Sequence, residues 1–162
     1  MPSPAVLQER AQEYFDITTE SPYMLLVAPV KDALCEKNGA ENLDDQSSEN
    51  VDMLEIINRK RSKIPAVTHV DYSARIQTVD KRRNRYFYNI IKAFEKISGC
   101  GVVVNTSFNV RGEPIVCTPE DAYLCFMRTD MDVLVMENCL LLKEEQDDFE
   151  EEQEWRAIYE LD

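Results

Sequence analysis

The segment from Asn84 to Ser98 constrains the fold more than any other part of the chain, because it carries a full set of helix signals and a single apolar stripe. Asn84 is placed to cap the first amides, and Gly99 suits the left-handed exit. Phe87, Ile90, Ile91, Phe94 and Ile97 recur at helical spacing, so the segment predicts a helix whose stripe packs as core rather than as a cofactor box. Val102, Val103 and Val104 follow at once and read as a short buried strand. A helix running into a buried strand points to an α/β domain.

The polar run Asn105-Thr106-Ser107-Phe108-Asn109-Val110-Arg111-Gly112-Glu113-Pro114 falls at the C-terminal end of that strand, where open α/β sheets place their ligand crevices. Its hydroxyls, amides, arginine and turn glycine are the groups with which a protein meets phosphate. Asn, Gly and Pro also populate ordinary connections for conformational reasons alone. A second segment, Thr68 to Val79, again sets hydroxyls and an arginine, Arg75, between two β-prone runs, and two such segments suggest one shared pocket. The expectation that follows is geometric: Arg75 and Ser107 converge on a common oxyanion.

The remaining elements are read from period and punctuation. Ala5 to Phe15 carries Val6, Leu7, Ala11, Tyr14 and Phe15 at helix-like spacing, and Tyr23 to Ala28 is continuous enough to be a strand covered on both faces. Lys31 to Asn50 is polar and acidic, and Val51 to Arg61 predicts a short helix ending in Arg59-Lys60-Arg61. Pro65 to Asp71 and Ala74 to Val79 read as strands joined at Tyr72-Ser73. Thr118-Pro119-Glu120-Asp121 opens a helix reaching about Arg128, with a capping threonine, proline in the first turn and acids at the positive end. Val133 to Met136 and Cys139 to Leu142 predict a terminal hairpin around Glu137-Asn138. The fold class expected is a mixed, twisted sheet with packed helices.

Charge and cysteines narrow the function. The net charge is -13, but residues 51 to 143 hold 14 basic and 11 acidic groups while residues 144 to 162 hold 1 and 10, so the acid sits at the ends. Long-range attraction to a polyanion is weak in such a molecule, which argues against nucleic acid as a partner and leaves a small anion held by local arginines. The five cysteines are scattered and odd in number, without the close pairings of metal sites, and read as reduced and mostly buried. The one histidine, His69, reads as hydrogen-bonded and structural rather than as a metal ligand. No apolar run reaches the ~20 residues of a membrane span and no secretory signal opens the chain, so a cytoplasmic protein is expected.

Ser21-Pro22-Tyr23-Met24-Leu25-Leu26-Val27, Thr68-His69-Val70-Asp71, Ala74 to Val79, Asn105 to Val116 and Cys117-Thr118-Pro119-Glu120-Asp121-Ala122 together resemble the carbamoyltransferase family of nodulation and antibiotic-tailoring enzymes. The resemblance covers residues 4 to 143. It implies a C-terminal YrdC-like domain over residues 1–143, N-terminally incomplete, followed by an acidic tail over 144–162. In that family the YrdC-like domain binds carbamoyl phosphate and ATP and makes a carbamoyl-adenylate. An N-terminal domain of the actin-like ATPase fold, which carries the metal, then delivers the carbamoyl group to a hydroxyl acceptor.

Position by position, the resemblance implies that Arg75 faces phosphate oxygens and that Asn105 and Ser107 are polar ligands of the same pocket, with Asn109 and Arg111 matching the motif. A guanidinium grips phosphate through two parallel hydrogen bonds, which suits Arg75 to that part. The family's preceding segment, with further arginines and a lysine, is absent from this chain. The expectation is therefore a truncated or split enzyme with little carbamoyl transfer by itself. Two other functions compete: an interaction module docking on an actin-like partner, and RNA binding through Arg59-Lys60-Arg61 and Lys81-Arg82-Arg83.

Overall fold

A computed structural model describes residues 2–36, 59–110, 112–147 and 149, which fall into two units, Met1–Thr106 and Ser107–Asp162. The first is a four-stranded sheet built from β1 (Ser3–Leu7), β2 (Leu26–Pro29), β3 (Ser73–Val79) and β4 (Val102–Asn105), in the order β2-β3-β1-β4. β1 runs parallel to β3 and antiparallel to β4, while β2 runs antiparallel to β3, so the sheet is mixed. The architecture is α/β, as expected. Among the described residues no helix is long and apolar enough to cross a membrane.

The first expectation to fall is the helix over Ala5 to Phe15. Ser3–Leu7 is instead an inner strand with every residue buried, and only Ala11–Tyr14 (α1) is helical, reached through a 3-10 turn at Gln8–Arg10. An inner strand covered on both faces loses its polar alternation, and a short apolar run then fits either period. Pro4 is tolerated because it precedes the parallel ladder with β3, which begins at Ala5↔Gln77.

β2 corrects a second expectation. It is an edge strand, with Leu26 and Val27 exposed and Ala28 buried, and Tyr23 and Leu25 ahead of it stand in solvent. Pro65 to Asp71 is likewise not a strand: Pro65–Val67 forms a 3-10 turn and the chain reverses through Tyr72 at φ 62. The predicted helix over Val51 to Arg61 falls mostly outside the described residues, as do the acidic stretch near Asp44 and the tail beyond Phe149.

Alternation divides the apolar residues between the two faces of the sheet. Val6, Ala28, Ala74, Ile76 and Val102 pack with Ala11, Phe15, Ile17, Val30, Ile64 and Val67 in one cluster. Ala5, Leu7 and Val79 pack against Ile91 of α2 (Arg85–Ser98) in the other, with Phe87, Tyr88 and Val103 half-buried around them. The caps of α2 form as read: Asn84 Oδ1 accepts from the Phe87 amide at 3.1 Å, and Gly99 takes φ 74. The stripe does not behave as read. Only Ile91 is fully buried, while Ile90, Phe94 and Ile97 are exposed, Ile97 by 87%.

The second unit packs α3 (Pro119–Met127) on a hairpin of β5 (Val133–Met136) and β6 (Cys139–Leu142), with Ala122, Phe126 and Leu134 at its centre. Thr118 and Asp121 close a reciprocal capping box, and Glu137 takes φ 51 in the hairpin turn. Lys143 Nζ donates to the carbonyls of Phe126 and Thr129 and lies 4.2 Å from the Phe126 ring centroid, placing a cation at the negative end of α3. All five cysteines are free, but only Cys125 is buried, against the expectation that most would be. Burial pushes the Cys125 thiol up from its ordinary value.

Candidate functional site

Side chains alternate along β3, so Ser73, Arg75, Gln77 and Val79 share one face, the face that α2 covers at its Val79 end. The parallel register sets Ala5 beside Gln77, and the antiparallel register sets Ser3 beside Asn105, which brings four polar side chains to the uncovered end of that face. Arg75 Nε donates to Ser3 Oγ at 3.2 Å, Asn105 Nδ2 donates to Gln77 Oε1 at 2.6 Å, and Gln77 Nε2 donates to the Pro22 carbonyl at 3.2 Å. Ser3 is buried and anchors an exposed guanidinium. Among the described residues no carboxylate pairs with Arg75 and its two terminal nitrogens make no hydrogen bond. A guanidinium tethered at Nε with both terminal nitrogens available presents parallel donors to a planar or tetrahedral oxyanion.

The turn ahead of β3 fixes where Arg75 begins. Asp71 Oδ1 accepts from the Ser73 hydroxyl at 2.7 Å and the Ser73 amide at 3.1 Å, and these bonds, the hydroxyl first, hold the Asp71 carboxyl below its usual range. With the Ser73 proton committed to Asp71, His69 Nδ1, 3.1 Å from Ser73 Oγ, is the donor of that pair. The backbone closes the same turn: the His69 amide donates to the Ser73 carbonyl at 2.8 Å, and Tyr72 donates to the His69 carbonyl at 3.1 Å. The Thr68-His69-Val70-Asp71 motif is thus a turn clamp that starts β3 two residues before Arg75. Ser21 is a second clamp: buried, it donates through Oγ to the Ile76 carbonyl at 2.8 Å and exchanges backbone and side-chain bonds with Thr78.

The polar loop after β4 belongs to the second unit from Ser107 onward. Ser107 is exposed, and among the described residues its hydroxyl makes no hydrogen bond. Asn109 is a staple: Nδ2 donates to the Val110 and Glu113 carbonyls at 3.3 and 3.0 Å, so its donors are spent on the loop itself. Gly112 takes φ 90, a turn that a side chain would strain, and Val116 donates back to the Phe108 carbonyl at 3.0 Å. Glu113 pairs with Arg128 at 3.2 Å with both side chains largely covered. Arg111 lies outside the described residues.

Of the five residues singled out in the sequence, Arg75 and Asn105 therefore share a sheet face in the first unit, while Ser107 and Asn109 sit in the second. Gln77 and Ser3, which residue type and motif do not single out, complete the face. Gln77 was within reach, being two residues from Arg75 on a strand. Ser3 was not, since its place depends on the pairing of β1 with β3 and β4.

A family model described as carbamoyltransferase C-terminus matches residues 1–143. The chain belongs to that family. Among similar proteins, sll1178 of Synechocystis sp. is 51% identical over 160 residues, covering 99% of this chain and 25% of the relative. The nodulation protein NolNO of Sinorhizobium fredii is 35% identical over 144 residues, covering 87% of this chain and 17% of NolNO. The 3'-hydroxymethylcephem-O-carbamoyltransferase of Amycolatopsis lactamdurans is 41% identical over 78 residues, covering 48% of this chain and 15% of the relative. The chain thus spans a quarter or less of the length of these relatives.

Proposed function

We propose that this chain contributes to the site at which a carbamoyltransferase binds carbamoyl phosphate and ATP and forms a carbamoyl-adenylate. The carbamoyl group then passes to a hydroxyl acceptor held by an actin-like ATPase-fold domain, and the mixed sheet described above forms the C-terminal part of a YrdC-like fold. The observation that carries this reading is Arg75: an exposed guanidinium, tethered by buried Ser3, without a carboxylate partner among the described residues, and bordered by the Gln77 and Asn105 amides. Two phosphorylated reactants repel each other, so bringing them together takes converging cations, of which Arg75 supplies one. The RNA reading draws less support, because Arg82 and Arg83 are already engaged with Asp80 and Glu20 at 3.3 and 2.7 Å.

Calorimetric titration of the chain with carbamoyl phosphate and with ATP tests the proposal. Hydrogen bonds to a charged group contribute about 1.5–3 kcal/mol, so Arg75→Ala should weaken binding by roughly 10- to 100-fold. The fold should survive with a modestly lower melting midpoint, since the guanidinium is exposed but its loss leaves the buried Ser3 hydroxyl without that bond, a cost of about 1–3 kcal/mol. Binding that survives the substitution would take Arg75 out of the site, and absence of any binding by the parent chain at millimolar ligand would take the site out of this chain. Ser107→Ala, titrated in parallel, measures what the second unit's loop adds.

A further inference from the structure

We propose that the outward face of α2 is the seat on which the rest of the carbamoyltransferase polypeptide docks, through an apolar centre rimmed by acidic side chains. This rests on family membership and on the helix, not on the ligand reading of Arg75. On a helical projection at roughly 100° per residue, Ile91, Phe87, Phe94, Ile90, Ile97, Tyr86 and Ala93 lie within one arc of roughly 160°, interrupted by Ser98 beside Ile91. Among the described residues the sheet covers its Ile91 edge, with Phe87 half-buried beside it. Beyond it, Tyr86 and Ile90 are 85% and 62% exposed, and Phe94, Ile97 and Ala93 are exposed with them. Lone exposed apolar residues are ordinary, but a contiguous row along one helix marks a contact surface.

Charge and chain length identify the occupant. Past Ala93 the helix surface runs through Asn89 to Lys96 and Arg85, both exposed and, among the described residues, without a carboxylate partner, so the covering surface brings Asp or Glu on that flank. Relatives of this chain carry three quarters or more of their length outside the matched segment, which supplies the covering surface on the same enzyme. A second copy of this chain, by contrast, would oppose Arg85 and Lys96 to an equally basic rim across a twofold contact.

Hydroxyl-radical footprinting reads the face residue by residue. It compares this chain alone with full-length Synechocystis sll1178 in which this chain replaces the matching 160 residues. Labelling of Tyr86, Ile90 and Ile97 should fall roughly fivefold or more in the fused protein, because a docked apolar centre excludes water. Equal labelling in the two samples overturns the proposal. Should the fusion stay insoluble, the corresponding helix of unaltered sll1178, labelled in the same way, decides the question. In the chain alone, Ile90→Lys with Ile97→Lys should leave the unfolding midpoint within about a degree, as surface substitutions do. A large loss would mean that the face is packed within this chain and would overturn the proposal, as would a dimer that the same pair dissolves in light scattering. Neither residue touches the Arg75 face, so a failed ligand titration leaves this inference standing.

Discussion

Replacing Ile91 and Ile97 by alanine, one at a time, asks α2 which of its isoleucines holds the fold. Ile91 is fully buried among Ala5, Leu7 and Val79, so Ile91→Ala removes three carbons from a covered site. At about 0.8 kcal/mol per methylene the transfer loss is about 2.4 kcal/mol. A residual cavity of roughly 50 Å³ adds about 1.2 kcal/mol at ~24 cal/mol per Å³, for a total near 3.5 kcal/mol. Ile97 is already 87% in water, so Ile97→Ala loses almost no transfer energy and gains the better helix former. Its effect should stay within about 0.5 kcal/mol. Urea unfolding followed by far-ultraviolet circular dichroism separates the two. With a slope of ~1.5–2 kcal/mol per molar, the Ile91→Ala midpoint should fall by about 2 M while the Ile97→Ala midpoint stays in place. Comparable losses for the two variants, or a loss under about 1 kcal/mol for Ile91→Ala, would refute the assignment of the buried face.

Three further outcomes are expected from the caps and turns. Gly99→Ala should cost about 1–2 kcal/mol although the added methyl meets nothing within 4 Å, because φ 74 is strained for a side chain; Gly99→Asn should cost less, and equal stability of all three would refute the strain argument. Thr118→Ala should remove about 1 kcal/mol by opening the capping box of α3, read as a lower thermal midpoint. Asp121 is held below the usual carboxylate range, first by the Cys117 amide and then by Thr118. Its folded value is depressed, so its contribution is complete above the ordinary aspartate range and fades as pH falls through the lower folded value. A carbon NMR titration of Asp121 with a midpoint at or above the ordinary aspartate value would contradict this.

What the sequence displayed and what it hid divide along one physical line. Asn84, Gly99, Thr118 and Asp121 act within a few residues of themselves, so the helices they bound were legible, as was the hairpin around Glu137. β1 was misread as helix because its burial comes from β3 and β4, roughly seventy and a hundred residues away, and local spacing carries no trace of them. The site divides in the same way. Arg75 and Asn105 stood out by residue type at a strand and a strand end, and Gln77 follows from Arg75 by alternation, whereas the Ser3 anchor exists only once the register is set.

The α2 stripe belongs to neither group. Its amphipathic pattern was visible, yet pattern says which residues avoid water and not what shields them. Its width says more: one sheet face covers the neighbourhood of Ile91, so an arc that continues through Ile90 and Ile97 to Tyr86 calls for a second surface. Counting the layers a stripe needs against the layers the described residues supply is what motivates the contact proposed for α2. Among the described residues the deficit falls on the Tyr86–Ile90–Ile97 side of α2, which is where a covering surface is to be sought.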